Sequence, residues 1–289
     1  MLAKAADLPA DQIFLDLEDA VAPGLKNDET RGLVVRALRD NEWQARTIVV
    51  RVNGVGTPWC LDDLMRVVGD AGDSLDCVMI PKVESAAQIH FVDQLLEQIE
   101  AKNDLGGHIG IEIQIESPRG LLEIEKIAAA SPRTETLIFG PGDYAARAGM
   151  PQLSVGAIDP AYPGDTWHYV LSRIVTTARA FGLQAIDGPF AAIRDLEGFA
   201  DVARRSRALG FDGKWALHPD QIAICNEIYS PTQAEFDRAE RILAAYRTAA
   251  DEQGTGAAVF EGEMIDEASR KMAASIVDRR RAAGRAQAS

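Results

Sequence analysis

Between Gly110 and Gly120 the chain reads GIEIQIESPRG. In an extended strand successive side chains point to opposite faces. Ile111, Ile113 and Ile115 then share one face, and Glu112, Gln114 and Glu116 share the other. Isoleucines on an outer face need helices to cover them, so the polar face looks into an interior. The Ser117-Pro118 step ends the strand and leaves Glu116 at its carboxyl mouth.

Segments of the same build recur on both sides: QIFLDLED, TIVVRVN and CVMIPK before it, TLIFGPGD, LQAIDGP and KWALHP after it. The polar residues at their ends are Asp19, Asn53, Lys82, Glu116, Asp143, Asp187 and His218, spaced 27 to 44 residues apart. Helix-like stretches such as SAAQIHFVDQLLEQIEA, GLLEIEKIAAA and LEGFADVARRSRALG lie between them, with apolar residues three and four apart. Strand–helix repeats of this length build a parallel sheet. Seven units in one domain point to an α/β fold of the (β/α)8 TIM-barrel type, an open doubly wound sheet being the alternative. The expected division is a catalytic barrel over residues 1–230 and a C-terminal helical extension and lid arm over 231–289. The opening MLAKAADL reads as a helix with no strand before it. The expectation is therefore a barrel lacking its first strand, through a truncated start or an incomplete ring.

Bulk properties narrow the partners. A net charge of -14 disfavours nucleic acid and anionic membranes. No apolar run reaches the ~18 residues of a membrane span. Cys60, Cys77 and Cys225 form no metal or redox motif, which fits a reducing cytoplasm.

In a barrel, chemistry sits where the strands end. Glu116 and Asp143 end adjacent predicted strands, and two glycines before Asp143 permit a close backbone approach. Two carboxylates with waters and substrate oxygens suit Mg2+; a solvated Glu116 and an Asp143 that caps a helix are the plain alternative. Arg51, near the end of TIVVRVNG, is costly to bury without an anion. A substrate carboxylate or a salt bridge to Asp16 or Glu18 would each satisfy it. In FLDLEDAVAP, Phe14 to Pro23, Asp16, Glu18 and Asp19 crowd together, either as solvated loop residues or around a cation. After a Gly-rich link, GTGAA, Asp266 stands where it would cap the helix EASRKMAASIVDRRR.

DLEDAVAP with Lys26 and Arg31, RVN, IES with Gly120, GPGDY, IDGP, GKWALHPDQI and GEMID occur in this order along nearly the whole chain. The sequence resembles the HpcH/HpaI aldolase/citrate lyase β-subunit-like family of CoA-ester lyases in these segments. GDTWHYVLSRIVTTARAFGLQAIDGPF is most similar to its malyl-CoA/β-methylmalyl-CoA lyase branch. The resemblance implies Mg2+, or Mn2+, ligated by Glu116 and Asp143, with Glu18 and Asp19 as an outer pair holding its waters. It implies that Arg51 binds an α-keto acid, that Lys4 contacts CoA phosphates, and that Leu217 and His218 touch CoA through their backbone. It makes Asp266 the catalytic acid/base, delivered by a neighbouring subunit of a homotrimer or homohexamer. The family opens with a strand before the helix holding Lys4, and that strand is what the count above lacks.

The activity so implied is Mg2+-dependent cleavage of a β-hydroxyacyl-CoA (malyl-, β-methylmalyl- or citramalyl-CoA) to an acyl-CoA and a 2-keto acid such as glyoxylate. A malate-synthase-like thioesterase, an aldolase on free keto acids, and a catalytically silent binding homologue are the alternatives.

Overall fold

Parallel strands covered on both faces appear in sequence as near-continuous apolar runs; six of the runs above each hold all or most of a strand, and of KWALHP only Lys214 is in one. The computed structural model describes residues 2–287, which divide between Cys225 and Asn226 into two compact units. The first holds a seven-stranded, all-parallel sheet in sequential order: β1 Gln12–Asp16, β2 Thr47–Arg51, β3 Cys77–Ile80, β4 Gly110–Ile115, β5 Thr134–Phe139, β6 Gln184–Asp187 and β7 Gly213–Lys214. Helices such as Asp28–Asp40, Cys60–Ala71, Ala86–Asn103, His168–Ala180 and Leu196–Leu209 connect them.

Register fixes what faces inward. Asp16, Arg51, Met79, Glu112 and Thr136 lie side by side in one row across β1 to β5. Gln114, Ile138, Ile186 and Gly213 form the next row toward the carboxyl ends of β4 to β7. Val49, Cys77, Met79, Ile138 and Trp215 pack into one buried cluster, joined by Phe14 and Ile186. The rings of Phe14 on β1 and Trp215 just past β7 are 4.5 Å apart, so the sheet curls until its two ends meet across the interior. It remains open: β1 and β7 are its edges and are not hydrogen-bonded to each other. The α/β class and the seven strands are as read from the sequence; a ring closed by eight strands is not what the sheet shows. The last strand is shorter than KWALHP suggested: it ends at Lys214, after which the Trp215 N–H bonds to Asp187 O of β6.

Glu112 sits inside this curl, 2% exposed, accepting from Gln12 Nε2 at 3.0 Å. Burial pushes its carboxyl up to about 7. A carboxyl raised in the folded state stabilises fully below its unfolded value near 4.5, and that stability is lost as pH rises through about 7. Glu112→Gln is therefore expected to flatten the fall in unfolding free energy between pH 5 and pH 8, by up to about 3 kcal/mol. Identical pH profiles for the two proteins would show that Glu112 titrates normally.

Cys60 and Cys77 are buried and Cys225 is half-buried, and none is in a disulfide. Burial pushes the Cys60 and Cys225 thiols up to about 12 and Cys77 higher still.

The second unit pairs helices Gln233–Gln253 and Glu267–Gln287 around Ala239, Ala273 and Val277. A hairpin of β8 Ala258–Phe260 and β9 Glu263–Ile265, which the sequence reading did not anticipate, follows the Gly-rich link between them. Its turn residues Glu261 and Gly262 both have positive φ, 51° and 82°, the geometry that suits the twist of two-residue hairpins. Arg238 and Arg241 clamp Glu261 at 3.2 and 2.9 Å. Among the described residues, no helix is long and apolar enough to cross a membrane.

Candidate active site

The first strand ends in a turn built by Asp16. Its carboxylate accepts from the backbone N–H of Glu18 at 2.8 Å and of Ala20 at 3.1 Å, an Asx-type turn that aims Glu18 and Asp19 over the sheet. The same carboxylate is gripped by Arg51, whose Nε and Nη2 donate to its two oxygens at 2.8 and 2.5 Å. Of the two sequence alternatives for Arg51, the salt bridge to Asp16 is present. It uses one edge of the guanidinium; the remaining Nη1 lies 3.4 Å from Glu18 Oε2 and 3.9 Å from Asp19 Oδ2. Phe14 and Trp215 flank the guanidinium at 5.8 and 5.4 Å, placing a cation on aromatic faces.

Behind this turn runs a buried polar network. Asp63 is 1% exposed and takes Arg31 Nε at 2.7 Å, Asn53 N at 2.9 Å and Asn53 Nδ2 at 2.7 Å. Asn53 Nδ2 also donates to Leu17 O at 3.0 Å, and Lys26 Nζ donates to Glu18 O at 2.8 Å and to Asn53 Oδ1. These bonds lock the loop carrying Glu18 to the ends of β1 and β2.

Glu116 follows β4, 3% exposed. Its Oε1 accepts from Lys82 N at 2.5 Å. Room for it is made by Gly140: a Cβ there would come within 2.5 Å of Glu116 Oε2. Asp143 is in the first turn of the helix Pro141–Ala148, whose N-cap is Gly140 and carries no side-chain cap bond; the position favours a negative charge. Lys82 joins the groups. Its ammonium bonds Glu18 Oε1 and lies 3.1 Å from Asp19 Oδ1 and 3.5 Å from Asp143 Oδ2. Glu18, Asp19, Arg51, Glu116 and Asp143 are thus brought together around Lys82.

Burial first, then the Asp143 charge, pushes Glu116 up to about 7. Burial also raises Glu18, whose Oε2 is buried without a hydrogen-bond donor. Among the described residues no three His, Cys, Asp or Glu side chains close a complete metal cage. Two carboxylates are the number Mg2+ ordinarily takes from protein, its other positions going to water and substrate. The all-oxygen donor set of Glu116 and Asp143, with a buried acceptor beside it, fits such a hard dication.

The other expected residues each have their own local setting. Lys4 is exposed on the short helix Leu2–Ala5. Leu217 is exposed too, and the Leu217 and His218 N–H groups point at Gln221 Oε1, at 2.7 and 3.3 Å. That loop is therefore fixed through its own backbone by a fully buried amide. Asp266, in the second unit, accepts from Ala268 N at 3.0 Å and Ser269 N at 3.1 Å, the expected helix cap. Sequence reading gave no role to Asp63, Gln221 or Lys82. Lys82 was visible as a polar strand end; Asp63 and Gln221 carried no signal distinguishing them from helix surface.

The pattern of the HpcH/HpaI aldolase/citrate lyase family matches residues 1–219. The L-malyl-CoA/beta-methylmalyl-CoA lyase of Cereibacter sphaeroides is 39% identical over 286 residues, covering 96% of this chain and 89% of its own. The malyl-CoA/beta-methylmalyl-CoA/citramalyl-CoA lyase of Chloroflexus aurantiacus is 37% identical over 279 residues, covering 91% and 78%. Among solved structures, protein CitE from Mycobacterium tuberculosis in complex with magnesium, acetoacetate and coenzyme A superposes with a TM-score of 0.73 at 32% identity, covering 94% of this chain and 90% of that one. Strand-end carboxylates, a buried arginine and these matches agree: the chain belongs to the HpcH/HpaI aldolase/citrate lyase family.

Proposed function

We propose that the protein is a Mg2+-dependent CoA-ester lyase that cleaves a β-hydroxyacyl-CoA of the malyl-CoA type into an acyl-CoA and a 2-keto acid. One observation carries this: Glu18, Asp19, Arg51, Glu116 and Asp143 converge at the carboxyl ends of the strands. Identity to lyases named for such substrates supports it.

Glu116 and Asp143 would hold the metal, with Glu18 and Asp19 beside it. When bound, Mg2+ supplies Lewis-acid polarisation of the keto-acid oxygen. Arg51 binds the carboxylate of the keto-acid half. Asp16 occupies its Nε and Nη2, so the substrate meets the Nη1 end, and the Asp16 clamp holds that end in a fixed direction. Lys4 takes CoA phosphates, and the Leu217–His218 loop contacts CoA through its backbone. Asp266 protonates the acyl-CoA enolate carbon on cleavage and removes that proton in the condensation direction. It is presented by the arm, residues 231–289, of a neighbouring subunit to the catalytic region, residues 1–230. Exposed Val259 and Met264, paired across the hairpin, supply an apolar face for that packing. The curl that joins Phe14 to Trp215 supports an arrangement of the (β/α)8 type.

The test is a cleavage assay on malyl-, β-methylmalyl- and citramalyl-CoA, measuring acyl-CoA, keto acid and free CoA separately. Equal amounts of acyl-CoA and keto acid are expected. Free CoA in place of acyl-CoA would indicate a thioesterase, and no product from any of the three would overturn the reading. The three substrates differ by single methyl groups, so rates within about 200-fold of one another are expected.

A further inference from the structure

Lys82 has no part in the mechanism above, yet it contacts all four carboxylates that the mechanism places at the metal. It follows β3 with a left-handed backbone, φ 56°. A lysine keeps that conformation only where its surroundings dictate it. Here both ends of the residue are engaged: its N–H holds Glu116 Oε1 at 2.5 Å, and its ammonium reaches Glu18, Asp19 and Asp143. Arg51 shares Glu18 and Asp19 through Nη1, at 3.4 and 3.9 Å, while its Nε and Nη2 are spent on Asp16; the contacts to Glu116 and Asp143 are those of Lys82. The Lys82 side chain is 25% exposed and sits on a flexible stem, so its ammonium has a way out toward solvent. A dication held by Glu116 and Asp143 and an ammonium 3.5 Å from Asp143 would repel each other strongly at that range.

We propose that Lys82 is a resident counter-cation for the Glu18, Asp19 and Asp143 carboxylates, and that the divalent ion enters the site by displacing its ammonium. The proposal rests on the reading that Glu116 and Asp143 ligate the metal. Its function follows from the competition. Lys82 keeps the carboxylates gathered before the metal arrives, and it lowers metal affinity by the cost of its own release.

The experiment is calorimetric titration of MgCl2 into the metal-stripped full chain, with melting temperatures taken in EDTA and in saturating Mg2+. Lys82→Met is expected to bind Mg2+ at least tenfold more tightly than wild type. It should melt lower than wild type in EDTA, and the gap should close in Mg2+. Lys82→Arg, which keeps the cation, should stay within threefold of wild-type affinity. A merely structural lysine would lower both melting temperatures and tighten nothing. Should Lys82→Met not fold, Lys82→Asn carries the same test, since asparagine tolerates the left-handed backbone. Wild type that binds Mg2+ beside a neutral variant that binds no tighter overturns the displacement alone. Wild type that takes up no Mg2+ overturns the metal reading and the proposal with it.

Discussion

Glu116→Gln is expected to lower turnover roughly a thousandfold, about 4 kcal/mol in barrier, and at the same time to make the metal-stripped protein melt higher at pH 8. The two effects share a cause. Glutamine replaces an anionic oxygen that would face the metal with a neutral amide. It keeps a carbonyl oxygen for the Lys82 N–H, which now bonds Glu116 Oε1 at 2.5 Å. Glu116 is raised to about 7 by burial and then by Asp143. A group raised in this way stabilises the fold below its unfolded value near 4.5, and the contribution disappears as pH climbs through about 7. At pH 8 the ionised carboxylate then costs up to about 3 kcal/mol, which glutamine removes. Mg2+ should raise the wild-type melting temperature and leave that of the variant unchanged. A variant that turns over normally, or gains as much stability from Mg2+ as wild type does, would take Glu116 out of the metal site.

Asp266→Asn should cut turnover by about 100- to 10,000-fold, the range for losing a positioned acid or base, with little change in melting temperature. Asparagine is as good an N-cap as aspartate, and the cap bonds to Ala268 and Ser269 need only a carbonyl oxygen. Mixing Asp266→Asn with Glu116→Gln subunits should restore part of the activity. Some assembled sites would then combine an intact set of strand ends with an intact arm, as symmetric assembly requires. Mass spectrometry of the mixture establishes that subunits exchanged. An exchanged mixture that remains inactive shows that the arm does not serve a neighbour's site.

The sheet was readable because most of its strands are covered on both faces and appeared as apolar runs ending in a polar residue, while β4 showed its isoleucines in alternation with polar residues. Whether its two edges pair was not readable, because no residue pattern records which strand meets which edge. The hairpin β8–β9 escaped for a local reason. A two-residue turn of this geometry usually shows Asn-Gly or Asp-Gly, and here a glutamate stands at the first left-handed position. At the site, the strand-end residues were legible by position, and so were both options for Arg51. What each one touches was not. Asp63 reads as a second acidic residue on a helix surface beside Asp62, yet Asp62 is exposed and Asp63 is buried against Arg31 and Asn53 from other elements. Lys82 was visible at the end of its strand, but three of its carboxylate partners lie 61 to 64 residues away in sequence.

The cysteines bear on how such an enzyme can be assayed. Nucleophilic attack on a disulfide requires the thiolate, and burial holds the Cys60, Cys77 and Cys225 thiols well above neutral pH. An aromatic disulfide reagent added to the native protein should therefore colour only slowly. CoA thiol released into the same cuvette reacts at once, so a hydrolytic side reaction can be followed continuously against a quiet protein background, and denaturing the chain should expose all three cysteines together.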